Sequence, residues 1–250
     1  MKHACKITAV LILALALAYG RGHAQENARI FIDGVKAYKN GEYATAVDCF
    51  TAIAESGIRN GSLYYNLANA CFRAGDIGRA ILWYEKARKL MPNDPDLAFN
   101  LAYAKSHVKD KQPDRSSVLR AIFFWRYMLS HDTLIWMAVV LNGLFFTALF
   151  VKRILKKKVP GLLTGVLFSL LVICATTVGF NFYAEQAFPE GVILPETVSV
   201  RSGVDDLSTE LFVLHAGSRV DIQKRRQGYV RIRFGKDKTG WVKQEAVGVI

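Results

Sequence analysis

The sequence predicts a multidomain membrane protein in three parts: an all-α repeat solenoid, a two-helix transmembrane hairpin and a small all-β barrel. Three observations predict it. Two uncharged apolar runs, 134–151 and 162–183, flank the basic stretch Lys152-Arg153-Ile154-Leu155-Lys156-Lys157-Lys158. A pattern of 34 residues repeats ahead of them, starting at Asn27 and again at Gly61. Behind them, apolar and polar positions alternate between turns marked by glycine.

Residues 1–24 read as a signal peptide. Lys2 and Lys6 supply a positive start, 7–18 is an apolar run of the length such leaders use, and Gly22-His23-Ala24 offers small residues for cleavage. An uncleaved anchor is the alternative, for which the run is short.

The solenoid is assigned to 27–108, with units at 27–60 and 61–94 and a solvating helix at 95–108. The units align Gly34 with Ala68, Tyr38 with Phe72, Gly41 with Gly75, Ala46 with Ala80 and Phe50 with Tyr84. This spacing resembles the tetratricopeptide repeat, where small residues let two antiparallel helices approach closely. Tyr64, Leu67, Ala68, Ala80, Tyr84, Ala87 and Pro92 fall on its signature positions, whereas the first unit carries Ile30 and Asp33 where an aromatic residue and a leucine are usual. The segment 96–104 resembles the first helix of a third unit that is never completed, placed to cover the end of the array.

In such arrays the first helices line a groove for peptides or protein surfaces. Carried over by alignment, that groove comprises Phe31, Val35, Tyr38 and Lys39, then Tyr65, Asn69, Phe72 and Arg73, then Phe99 and Tyr103. Aromatic and Arg enrichment suits an interaction surface, and core packing is the competing reading for each ring. The subtype that clamps a terminal carboxylate has Lys where this chain has Phe31 and Tyr65, which argues against that ligand.

Residues 109–133 read as a basic linker and an interfacial helix over 118–129, with a plain lead-in to the span as the alternative and Ser130 or Asp132 capping the helix that follows. Transmembrane helices are assigned to 134–151 and 160–183, either one long enough for a hydrocarbon core of about 30 Å. Lys152, Arg153, Lys156, Lys157 and Lys158 make 152–159 a cytoplasmic loop, since basic loops stay inside. Both folded regions then face outward from a bacterial inner membrane, in agreement with the leader. Asn142 in the first span is expected to hydrogen-bond across the hairpin, and Gly161 and Gly165 are spaced for close helix contact between the spans or between two chains.

The net charge of +12 is concentrated there. Residues 25–104 hold nine basic and nine acidic residues and 184–250 hold ten and nine, so 105–158 carries a surplus of eight. That surplus faces membrane lipids, and no nucleic-acid-reading motif accompanies it.

A linker over 184–197, marked by Pro189 and Pro195, leads to an all-β region at 198–250. Val198 and Val200, Phe212 and Leu214, Val220 and Ile222, and Val230 and Ile232 alternate as half-buried strands do, with turns at Ser202-Gly203, Ala216-Gly217, Gln227-Gly228 and Lys238-Thr239-Gly240. The order Val200-Arg201-Ser202-Gly203, His215-Ala216-Gly217, Gly228-Tyr229-Val230 and Gly240-Trp241-Val242 resembles the bacterial SH3-like domain. That resemblance implies ligand contacts at Tyr229 and Trp241 and peptidoglycan or peptide ligands; in the competing reading Trp241 packs into the barrel.

No enzyme is predicted. His107, His131 and His215 are scattered, and no HExxH, GxSxG, phosphate-cradling or Cys-x-x-Cys motif is present. Neither a cofactor, a metal nor a small-molecule substrate is expected. Cys49 and Cys71 are read as buried small apolar residues, with a disulfide as the alternative. Asn60-Gly61-Ser62 matches a glycosylation sequon but falls where a turn is needed.

Taken together, leader, short repeat array, two spans around a basic turn and terminal SH3-like domain resemble the BatE-type proteins of the Bacteroides aerotolerance family. The resemblance implies a non-enzymatic envelope scaffold acting in stress or oxygen tolerance. Its implied partners are membrane proteins with von Willebrand A domains and a MoxR-like ATPase.

Overall fold

The computed structural model describes residues 25–110, 125–156, 158–187 and 189–250. The expected signal peptide, most of the basic linker (111–124) and Lys157 lie outside the described residues.

Five helices form the repeat array: α1 (residues 25–39), α2 (Tyr43–Glu55), α3 (Gly61–Arg73), α4 (Ile77–Leu90) and α5 (Pro95–Ser106). Their starts follow the repeat. Asn60 and Asp94 accept hydrogen bonds from Leu63 and Leu97 backbone N–H groups, and Asp76 does the same for Arg79, satisfying amides that have no partner inside the helix. Asn60 thus serves as a helix cap in extended backbone rather than as the turn residue expected of Asn-Gly. Glu42, which stands where the second unit has Asp76, makes no such bond.

Small residues sit where the helices touch. Ala46, Ala68, Ala80 and Ala87 are fully buried, and a Cβ on Gly34 would lie 2.8 Å from the Phe50 ring. Cys71 is buried with them, while Cys49 is only half-buried, and both are free thiols.

After a short helix, α6 (Trp125–Met128), come two long helices, α7 (His131–Arg153) and α8 (Gly161–Ala187), packed against each other. Ser130 caps α7 through the Thr133 amide. Stretches of 22 and 24 residues in them are long and apolar enough to cross a membrane, and only 6% of each is buried inside the protein. Asn142 departs from expectation: it is exposed, and among the described residues its side chain makes no hydrogen bond to α8. A Cβ on Gly161 or Gly165 would meet nothing within 4 Å, so these glycines do not pair the two helices within one chain.

The C-terminal region is one antiparallel sheet in the order β3-β2-β6-β5-β4-β1-β7. Its strands are β1 (Glu190–Ile193), β2 (Thr197–Arg201), β3 (Glu210–His215), β4 (Arg219–Arg226), β5 (Tyr229–Phe234), β6 (Lys238–Lys243) and β7 (Val247–Val249). Ile193, Val200, Leu214, Val220, Ile232 and Val242 meet in a single core. The outer strands β3 and β7 do not pair, so the sheet is open rather than the closed barrel expected. Both β1 and β7 lie against α4. The segment expected as a linker continues α8 to Ala187 and then forms β1, and the last turn falls at residues 235–237, before β6, rather than at 238–240.

The sheet therefore docks on the repeat array. Ile77, Gly78, Ile81, Leu82 and Glu85 recur at helical spacing along one face of α4, and this face receives β1, β7 and the turn after β3. A Cβ on Gly78 would lie 2.3 Å from the Leu194 carbonyl oxygen, and one on Gly248 would lie 2.4 Å from Leu82. Gly217, with φ of +85°, brings its turn against Ile81 and Val108.

Gly78→Ala tests this contact with two opposed effects. Alanine favours an isolated helix by about 1 kcal/mol, but here its methyl group meets backbone that cannot rotate away, which costs about 1–3 kcal/mol. A lowered Tm and faster proteolysis between 187 and 197 in the full chain are expected; a raised Tm shows that α4 and β1 do not touch.

Candidate functional site

Along the first helices of the array, three clusters form in order. In the first, Tyr38 meets Tyr43 edge-on with ring centroids 5.5 Å apart, and Arg73 donates to the Tyr43 hydroxyl at 2.7 Å while its guanidinium lies 5.1 Å from that ring. Burial raises the Tyr38 pKa, and the bond to Tyr43 raises that of Arg73.

The second cluster is a hydrogen-bond network. The Tyr84 hydroxyl donates to Asn69 Oδ1 at 2.5 Å, while Asn100 Nδ2 reaches Tyr65 Oη at 2.7 Å and Asn69 Oδ1 at 3.2 Å. This ties α3, α4 and α5 together through Asn69, whose oxygen is thereby occupied.

The third is an aromatic corner in which Phe72 lies 5.5 Å from both Tyr103 and His107, and those two are 4.8 Å apart. Tyr103 is 53% exposed and Phe99 72%, and Lys39 and Arg73 are exposed as well. Phe31, Val35 and Tyr65 lean on the core, Phe31 with its ring 5.5 Å from Phe50. Tyr38 and Phe72 are half-buried and lean on the core as well, so the groove's exposed surface is Lys39, Arg73, Phe99 and Tyr103. Alignment missed Tyr43 and His107, although the second was available: Lys39, Arg73 and His107 follow one another at intervals of 34.

A second candidate is a cleft of about 610 Å³ between the start of α4 and the sheet, lined among others by Asp76, Arg79, Arg201, Tyr229, Trp241 and Lys243. Trp241 is half-buried on the face of β6 opposite Gly240 and Val242, outside the sheet core, and pairs in register with Arg201 and Arg231. Tyr229 donates to Asp206 at 2.9 Å, and Lys243 lies 3.0 Å from the same carboxylate. Those bonds hold Asp206 below the usual carboxylate range.

Between groove and cleft, the array and the sheet share buried charge. Glu85, with 1% of its side chain exposed, contacts Arg88 at 2.5 Å, Lys105 at 2.7 Å and Arg219 of β4 at 3.2 Å. Burial pushes its carboxyl up, but Arg219, Arg88 and Lys105 more than reverse this, and the net shift is downward. Three cations share one carboxylate, so one of them is left at a disadvantage: burial, followed by repulsion from the two arginines, leaves the Lys105 pKa lowered despite Glu85. Arg219 also bonds Glu190. Nearby, Asp110 accepts from the Ser218 hydroxyl at 2.5 Å and the His215 amide at 2.7 Å, and it contacts His215 Nδ1 at 3.1 Å.

The tetratricopeptide repeat family model matches residues 61–94. This covers the second unit and its capped helices α3 and α4. No curated protein matches the chain. Repeats of this family bind protein partners in general.

Glu85→Gln removes the charge but keeps the shape, leaving Lys105 without its carboxylate and Arg219 with Glu190 alone, at a cost of about 3 kcal/mol; thermal unfolding of the full chain measures it. The native junction is expected to weaken in acid by the same chemistry. Carboxyls held low in the folded state stabilise it above their unfolded pKa, about 4 for Asp and Glu, and this contribution is lost as pH falls through the folded values. Proteolysis at 187–197 is expected to accelerate below about pH 4 in the native chain, and a rate indifferent to pH on that side contradicts the assignment.

Proposed function

We propose that this protein is a non-enzymatic, membrane-anchored scaffold whose outward-facing repeat groove binds protein partners. The observation that carries the reading is the row of exposed Arg73, Phe99 and Tyr103 with half-buried Tyr38 and Phe72 between them on the first helices. Rigid rings beside an arginine provide contact area at little entropic cost, as interface anchors do.

Anchoring is read from the two long apolar helices, with exposed Lys152, Arg153, Lys156 and Lys158 at their connection. Basic connections resist translocation. An even number of crossings also returns the chain to the side it left, as the contact between α4 and the sheet requires. The partner class implied by the resemblance to BatE-type proteins is a membrane protein with a von Willebrand A domain, together with a MoxR-like ATPase, in envelope stress or oxygen tolerance.

The cleft favours a second reading, a cell-envelope receptor gripping peptidoglycan or a peptide with Tyr229 and Trp241. A pull-down on isolated cell wall separates the two: retention abolished by Trp241→Ala supports the receptor.

For the scaffold, replacing Arg73 by Glu and Tyr103 by Ala is expected to weaken capture of the von Willebrand A partner at least tenfold, a typical loss for anchor residues, with Tm nearly unchanged because both side chains are exposed. Undiminished capture removes the groove from the function. External protease that reaches neither folded region in intact spheroplasts overturns the topology.

A further inference from the structure

We propose that the β4–β5 hairpin is a second membrane contact, which docks on the anionic lipid headgroups of the bilayer that α7 and α8 span; this rests on the anchoring proposed above. Five of the ten basic residues in 184–250 fall within 224–233. Lys224, Arg225, Arg226 and Arg231 are exposed, and among the described residues they form no ion pair. The nearby carboxylates are already engaged: Asp221 by Arg233 at 3.0 Å, and Asp206 by Lys243 and Tyr229. The charge of the hairpin thus has no internal use.

Strand register supplies the direction. β1 begins three residues after α8, and β4 runs antiparallel to it with Asp221 opposite Glu190. The Ile222 amide donates to the Pro189 carbonyl at 2.8 Å, so everything after Ile222 extends beyond the start of the sheet, on the side where α8 ends. At about 3.3 Å per residue, Arg226 stands about 13 Å past that point.

Pro189 follows the last residue of the apolar stretch, Ala184, by five positions, a reach of at most about 17 Å. The hairpin tip therefore returns to the depth of the headgroups, alongside exposed Phe182 and Tyr183 of α8, the residue types that settle at that interface. Its two-residue turn, Gln227 at φ 51° and Gly228 at φ 78°, closes the Arg226–Tyr229 pair tightly and holds the cations in place.

Phosphate headgroups match this in charge and in depth. Each basic residue at an anionic surface adds about fivefold to its attraction, so removing three abolishes it.

The test uses the full chain in nanodiscs of phosphatidylcholine alone and of equal parts phosphatidylcholine and phosphatidylglycerol, with amide hydrogen exchange read at 223–231. Exchange on the order of tenfold slower in the anionic disc is expected from these charges, reversed by high salt and absent in Lys224→Gln/Arg225→Gln/Arg226→Gln. Unchanged protection of α4 amides in that variant verifies its fold. Equal exchange in the two discs, or slowing that survives the triple substitution, overturns the hairpin contact while leaving the two spans standing. A chain that enters neither disc overturns both.

Discussion

Glu85 lies on a helix of the repeat array, yet its charge is matched from three directions: by Arg88 one turn along, by Lys105 of α5 and by Arg219 of the sheet. A carboxylate this deeply buried is tolerable only when paired. Its burial therefore requires α4, α5 and β4 to be assembled together, and Arg219 reaches on to Glu190 at the start of β1. The consequence is architectural. Two regions separated in sequence by an apolar hairpin behave as one folded body, and the hairpin is a loop inserted between α5 and β1 rather than a divider between independent domains.

What was legible in the sequence was local. Helix pairs announce themselves because close approach admits only small residues at fixed spacing, and Gly34 against Phe50 shows the constraint directly. Strands β2 to β5 alternate because one face is wet. β1 does not alternate: Gly191, Val192 and Ile193 are all buried, covered by the sheet on one side and α4 on the other, so the segment reads as an apolar linker between prolines. The open sheet was hidden as well, because strand alternation reports which face is buried and not which edges pair. No periodicity encodes a pairing such as Glu85 with Arg219.

The groove shows the same limit at the level of single residues. Alignment places Phe31, Tyr65 and Phe99 at equivalent positions, but their fates differ with the second helix of each unit. Phe31 packs on Phe50 and Tyr65 on Tyr84, with ring centroids 5.5 and 6.1 Å apart. Among the described residues Phe99 meets no aromatic ring and stays 72% exposed.

The last turn of α5 joins these themes. Tyr103 and His107 face Phe72 in the groove, while Lys105 between them reaches Glu85, and Val108 and Asp110 just beyond hold the turn after β3 and the backbone of His215. Alternate residues of one short segment thus belong to the groove and to the junction. A helix turn does not shear along its own axis without breaking its hydrogen bonds, so displacing Tyr103 displaces Lys105 with it. The groove and the junction therefore share one stretch of backbone at the end of α5, where the repeat array and the sheet are joined.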